Sequence, residues 1–132
     1  MPNKIITPIQ RYAEEHGRAY KLQAYLFVMN GLEYTLKKTG KSPDMTAAER
    51  HVTGQELSRG IKDYAITQYG PSAKLVLEHW GITATLDFGR IVYDLIDLSF
   101  MGKNDTDRIE DFDNVFEFEA AFVTDYPFTI KP

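Results

Sequence analysis

Apolar positions recur along this chain at three- and four-residue spacing, and most such runs carry their own start and stop residues. The clearest is Ala19–Lys38, where Leu22, Tyr25, Leu26, Met29, Leu32 and Leu36 fall on one stripe. Tyr20, Phe27 and Tyr34 repeat every seven residues on a neighbouring face, so this helix is expected at the centre of the fold, covered from two sides. Lys37 and Lys38 suit the negative end of its dipole, and Gly40 should end it. Ahead of it, Thr7-Pro8-Ile9-Gln10 offers an N-cap, a proline at the first helical position and a capping-box partner. That helix should run to His16 and stop at Gly17.

Residues 39–52 are polar and contain Gly40 and Pro43, which predicts a loop with one short turn capped by Thr46-Ala47-Ala48-Glu49. Loops this long are often functional, so the exit, Arg50-His51-Val52-Thr53, is the first place to look for a site. Thr53-Gly54-Gln55-Glu56 is a complete capping box. The helix it opens should bury Leu57, Ile61, Tyr64 and Ala65 and turn Ser58, Arg59, Lys62 and Asp63 to water. Gly70-Pro71 breaks it and starts another helix, with Ala73, Val76, Leu77 and Trp80 on its stripe and Gly81 in the left-handed position after it. A long helix follows from Thr85, with Asp87 in its first turn, Phe88, Ile91, Val92, Leu95 and Leu98 on one side, Tyr93, Ile96 and Phe100 beside them, and Gly102 as its stop. Val115-Phe116-Glu117-Phe118-Glu119 alternates as a strand does, while Phe118, Ala121 and Phe122 fit one helical turn; the helical reading is preferred.

The expected fold is therefore mainly α, a compact orthogonal bundle of five to six helices with an acidic C-terminal segment packed across it. At 132 residues the chain has the size of one domain, and 43% hydrophobic with 13% aromatic residues supplies a core. It divides into N-terminal helices (1–40), the polar loop (41–52), a three-helix segment (53–102) and the acidic, aromatic-rich end (103–132).

Charge is uneven. From Asn104 to Tyr126 eight acids face the single base Arg108, a net −7, which leaves the rest of the chain at +3 within a total of −4. An acidic end on a mildly basic body argues against nucleic acid as the main partner. The helix pair around Gly81 resembles a helix-turn-helix superficially, yet the second helix carries Asp87, Asp94 and Asp97 against Arg90 alone. The chain has no cysteine, which removes disulfides, thiolate metal sites and cysteine nucleophiles. The first residues lack the apolar core of a signal peptide, and no run approaches the roughly 18 apolar residues of a membrane helix, so no membrane association and a cytoplasmic location are expected.

Phosphate-loop, dinucleotide and Gly-x-Ser-x-Gly motifs are missing. Asp105-x-Asp107 begins like a calcium loop, but Ile109, Glu110 and Phe116 occupy positions that need a ligand, a glycine and a bidentate glutamate. His16, His51 and His79 are not spaced for a metal, and no metal or cofactor is expected. The best remaining cluster is His51, Glu56 and Arg59 around one helix start, where an imidazole, a carboxylate and a guanidinium beside free N–H groups could hold an anion. The plainer account leaves Glu56 closing its capping box and Arg59 exposed, and it is preferred.

His51-Val52-Thr53-Gly54-Gln55-Glu56-Leu57, Gly60-Ile61-Lys62, Ala65, Tyr69-Gly70 and Val76-Leu77-Glu78-His79-Trp80-Gly81-Ile82 together resemble a family of short, uncharacterised bacterial proteins known by a "Minf"-type locus tag. The likeness continues through Thr85-Leu86-Asp87-Phe88-Gly89-Arg90-Ile91-Val92-Tyr93, Asp111-Phe112 and, more loosely, Phe116-Glu117-Phe118-Glu119-Ala120-Ala121-Phe122. Lys62 stands where the family more often has arginine. The resemblance implies a bacterial protein of this length and carries no activity, substrate or catalytic residue. The leading expectation is a non-catalytic protein-interaction or regulatory module, self-associating or binding a protein partner, with Phe116, Phe118 and Phe122 as its surface. The alternative is a small-ligand or anion binder, or an enzyme, using His51, Glu56 and Arg59.

Overall fold

The computed structural model describes residues 6–46, 48–102 and 107–124. The chain is mainly helical, with no strand among the described residues. Five α-helices pack together: α1 (Ile6–Glu15), α2 (Leu22–Lys38), α3 (Gly54–Tyr69), α4 (Ala73–His79) and α5 (Thr85–Asp97). A 3-10 turn, Gly70–Ser72, joins α3 to α4; a second, Ile109–Phe112, and a π-helical turn, Ala120–Thr124, lie beyond α5. Asp105 of the calcium-like pattern, the first five residues and the last eight lie outside the described residues.

α2 packs on α1, α3 and α5. Its buried face is Ala24, Tyr25, Val28, Gly31 and Thr35 with Phe27 and Leu36, while Leu22, Leu26, Met29 and Leu32 are only half-buried. The large-residue stripe thus misplaces the centre of the face, because small residues mark where another helix comes closest. A methyl at Gly31 would sit 2.8 Å from Ile61 Cγ1, and one at Gly60 would sit 1.9 Å from Thr35 Oγ1. Ser58, expected in water, is wholly buried, since α3 turns the side carrying Gly54, Ser58, Gly60 and Ile61 inward.

Helix ends follow simple chemistry. Thr53 and Glu56 close the capping box in both directions, Glu56 N–H to Thr53 Oγ1 at 3.1 Å and Thr53 N–H to Glu56 Oε1 at 3.0 Å. At α5 the capping group is not Thr85 but Asp87, whose carboxylate accepts the N–H groups of Thr83 (2.9 Å) and Ala84 (3.1 Å). The Thr85 hydroxyl instead donates to the Phe112 carbonyl at 2.6 Å and accepts from Val115 N–H at 3.1 Å, fastening the chain beyond α5 to that helix. α1, α2 and α4 stop on a left-handed glycine (Gly17, Gly40 and Gly81). α5 does not reach Gly102. It ends at Asp97, and Ser99 takes the left-handed position at φ 64°, with Ser99 N–H to Ile96 O at 2.9 Å and Phe100 N–H to Leu95 O at 2.8 Å.

Two buried carboxylates pin the α1–α2 connection to α5. Asp94, 2% exposed, takes a forked bond from Arg18, Nη2 to Oδ1 at 2.8 Å and Nε to Oδ2 at 2.9 Å, and a third from Tyr25 Oη at 2.8 Å. Asp87, 5% exposed, bonds to the Tyr20 hydroxyl and to Arg90 Nη1 at 3.0 Å. The Asp94 bond raises the Arg18 guanidinium above its usual range, and burial followed by the same carboxylate raises the Tyr25 hydroxyl. Burial pulls the Asp87 carboxyl upward, but Tyr20, the two N–H groups and Arg90 together outweigh it and hold the group below the usual carboxylate range. These two acids are therefore interior bonds. They do not face outward as a negative surface on a would-be recognition helix.

Among the described residues no helix is long and apolar enough to cross a membrane.

Candidate functional site

A cavity of about 360 Å³ lies between α2, α3, α5 and the 107–112 segment. Its floor is apolar: Leu32 and Leu36 from α2, Leu57 from α3, Val92 and Ile96 from α5, and Phe112. Its mouth is charged and comes from two distant stretches, Arg50 and His51 from the loop before α3, and Asp107, Arg108 and Asp111 from beyond α5. Such a volume, with an apolar floor and a few polar groups at one end, falls in the range that holds small ligands.

Local chemistry places each mouth residue. The turn ahead of Arg50 is closed by Thr46 and Glu49, Thr46 N–H to Glu49 Oε1 at 2.9 Å and Glu49 N–H to Thr46 Oγ1 at 3.2 Å, and Arg50 N–H then donates to Thr46 O at 3.0 Å. Lys41 Nζ ties the same turn down at the Glu49 carbonyl, 2.8 Å away. His51 Nε2 lies 3.1 Å from Asp107 Oδ1, joining the two halves of the mouth across 56 positions of sequence. Arg108 spends its side chain on Glu110 (Nε to Oε2, 3.4 Å), and its N–H donates to Asp111 Oδ2 at 3.3 Å. Burial, then the nearby acids Asp107, Asp111 and Glu110, raise the Tyr93 hydroxyl above its usual value.

Of the three residues singled out from the sequence, only His51 lines this cavity. Glu56 is exposed and spends its carboxylate in the capping box, whose backbone bond from Thr53 lowers it from the usual range. Arg59 is exposed on α3 and does not reach the cavity. The convergence of His51, Glu56 and Arg59 that the anion-binding alternative required does not occur; Glu56 and Arg59 stand as the preferred plainer account has them, and Arg50 lines the cavity with His51. Phe118 and Phe122 are buried, unlike an interaction surface: Phe118 and half-buried Phe116 pack on Phe88 at ring separations of 5.9 and 6.4 Å, and Phe122 packs on Phe118 at 5.2 Å. His16 stacks on Tyr12, and His79 meets Lys21 Nζ at 3.2 Å, both at the surface. No group of three or more potential metal ligands occurs among the described residues.

A second, shallower recess of about 200 Å³ lies along the other half of α2, lined by Gln23, Leu26, Phe27 and Asn30 and by Tyr64, Tyr69 and Trp80. Its rings pack on one another, Phe27 to Tyr64 at 5.1 Å and to Trp80 at 5.5 Å, which makes it the outer edge of the core.

Compared with protein-family models, curated proteins and solved structures, the chain matches none.

Proposed function

We propose that this protein is a non-catalytic binding module that takes a small, mostly apolar molecule into the cavity between α2, α3 and α5. The carrying observation is the cavity itself: an apolar floor closed at one end by a charged mouth whose two halves meet through His51 and Asp107. The test is saturable uptake of a neutral naphthylamine dye and its displacement by octanol. The wild type should bind about one dye per chain, and Val92→Trp, which fills the floor, should bind none while keeping its circular dichroism. No saturable uptake by the wild type, or undiminished uptake by a folded Val92→Trp, overturns the proposal.

The same reading takes the acidic C-terminal segment as a strap laid across a steeply crossed bundle, serving as the cavity's outer wall. Burial of Phe112, Phe118 and Phe122 and the bonds to Thr85 support it. Membership of the "Minf"-type bacterial family, with a cytoplasmic location, is part of the proposal; so is recognition by a protein partner or a second copy, which the ligand would regulate.

A further inference from the structure

We infer that the ligand of this cavity is an organic monoanion, a carboxylate or its equivalent on an apolar body, and that Arg50 receives its charge. The inference rests on the cavity being a binding site and adds the chemical class of what enters it.

Charge accounting at the mouth leads there. Five ionisable side chains that could carry charge at neutral pH line it: Arg50, His51, Asp107, Arg108 and Asp111. Asp107 is met by His51, Arg108 by Glu110, and Asp111 accepts the Arg108 N–H. Asp111 is met only by that neutral N–H, and of the two arginines Arg50 is the one without an acceptor among the described residues. Its Nε is buried without a hydrogen-bond partner, and its guanidinium makes no ion pair among the described residues.

A guanidinium presents five N–H donors in a planar fork and cannot shed its charge, so the Nε–H of half-buried Arg50, out of water without a partner, is a standing cost to the fold. Had Arg50 served only to cover apolar surface, its stem would pack and its head would remain in water. Here Nε, at the root of the fork, is already desolvated. The Thr46–Glu49 turn and Lys41 hold its backbone in place, so the fork is positioned before any ligand arrives. A carboxylate is the group whose two oxygens match that fork.

Size sets the rest. The cavity has more than twice the volume of one that holds a benzene ring, roughly 150 Å³, and its floor offers only aliphatic and aromatic carbon. A body of about eight to twelve carbons suits it, carried by a head that reaches the mouth.

The experiment uses the full chain and two probes that differ at the head alone, octanoate and octanol, at pH 8, each displacing the neutral dye. Octanoate should displace it at about tenfold lower concentration than octanol, the discrimination expected of one charge-assisted bond. Arg50→Gln should abolish that preference and leave octanol unchanged, whereas Arg108→Gln should keep most of it. Octanol binding as well as octanoate in the wild type overturns the inference while leaving the cavity as a binding site. So does a preference that survives Arg50→Gln or disappears in Arg108→Gln instead. Failure of both probes and of the dye overturns the binding site itself, and the inference with it.

Discussion

Replacing Gly60 by alanine tests the packing on which the bundle depends. In an exposed helix the change would stabilise by about 1 kcal/mol, because glycine is the poorer helix former. At position 60 the new Cβ would lie 1.9 Å from Thr35 Oγ1 and 2.8 Å from Thr35 Cβ and Cγ2. Restoring an ordinary 3.4 Å contact needs a displacement of about 1.5 Å, larger than a side-chain adjustment of a few tenths. Thr35 has little freedom to give way, since it is β-branched and its hydroxyl is bonded to Gly31 O at 2.7 Å. Overpacking typically costs 1–3 kcal/mol, and this site lies at the upper end, so a net loss of about 2 kcal/mol and roughly 6–10 °C in melting temperature is expected. Urea denaturation followed by helical circular dichroism reads it. Thr35→Ala removes two of the three colliding atoms, so the double variant should recover about 1 kcal/mol relative to the sum of the single changes. If Gly60→Ala is neutral or stabilising, or if the two changes simply add, the close approach of α2 and α3 is wrong.

Two further outcomes follow from side chains already described. Ser99→Gly should stabilise the protein by about 0.5–1 kcal/mol, because serine is held at φ 64° where α1, α2 and α4 use glycine; a lower urea midpoint would contradict this. Asp87 has a native carboxyl held below its ordinary value, so its contribution is present above about pH 4 and is lost as pH falls through the lower native value. Asp87→Asn should therefore weaken the protein at pH 7 by about 1–3 kcal/mol and converge on the wild type as the carboxyl becomes protonated in acid; a difference that does not shrink on acidification would refute the account.

Much of the architecture is legible in the sequence because it depends on local chemistry. The Thr53–Glu56 box, the glycines at 17, 40 and 81 and the helical turn containing Phe118 and Phe122 need only near neighbours, and each can be read from spacing. The end of α5 misleads for the same reason. Gly102 is the conspicuous stop, while the left-handed position falls on Ser99, a residue without that signature. Asp87, Asp94 and Ser58 mislead because polarity predicts exposure, and only tertiary partners, Tyr20, Arg18 and Tyr25 for the acids, reverse it. The loop exit at Arg50-His51 is flagged by its length and composition. Its pairing with Asp107 spans too much sequence for any periodicity to register, and nothing local distinguishes Arg50, which lines the cavity, from Arg59, which does not.

The glycine contact between α2 and α3 also stands between the two recesses. From Gly31 and Gly60 the two helices run toward Leu36 and Leu57 at one end, which floor the cavity, and toward Phe27 and Tyr64 at the other, which line the aromatic recess. At the touching point each glycine receives a branched side chain of the other helix, Ile61 on Gly31 and Thr35 on Gly60, so the spacing of α2 and α3 is set there for both recesses at once. A bulkier residue at 31 or 60 would therefore alter the width of both recesses together, the one over Leu36 and Leu57 and the one beside Tyr64.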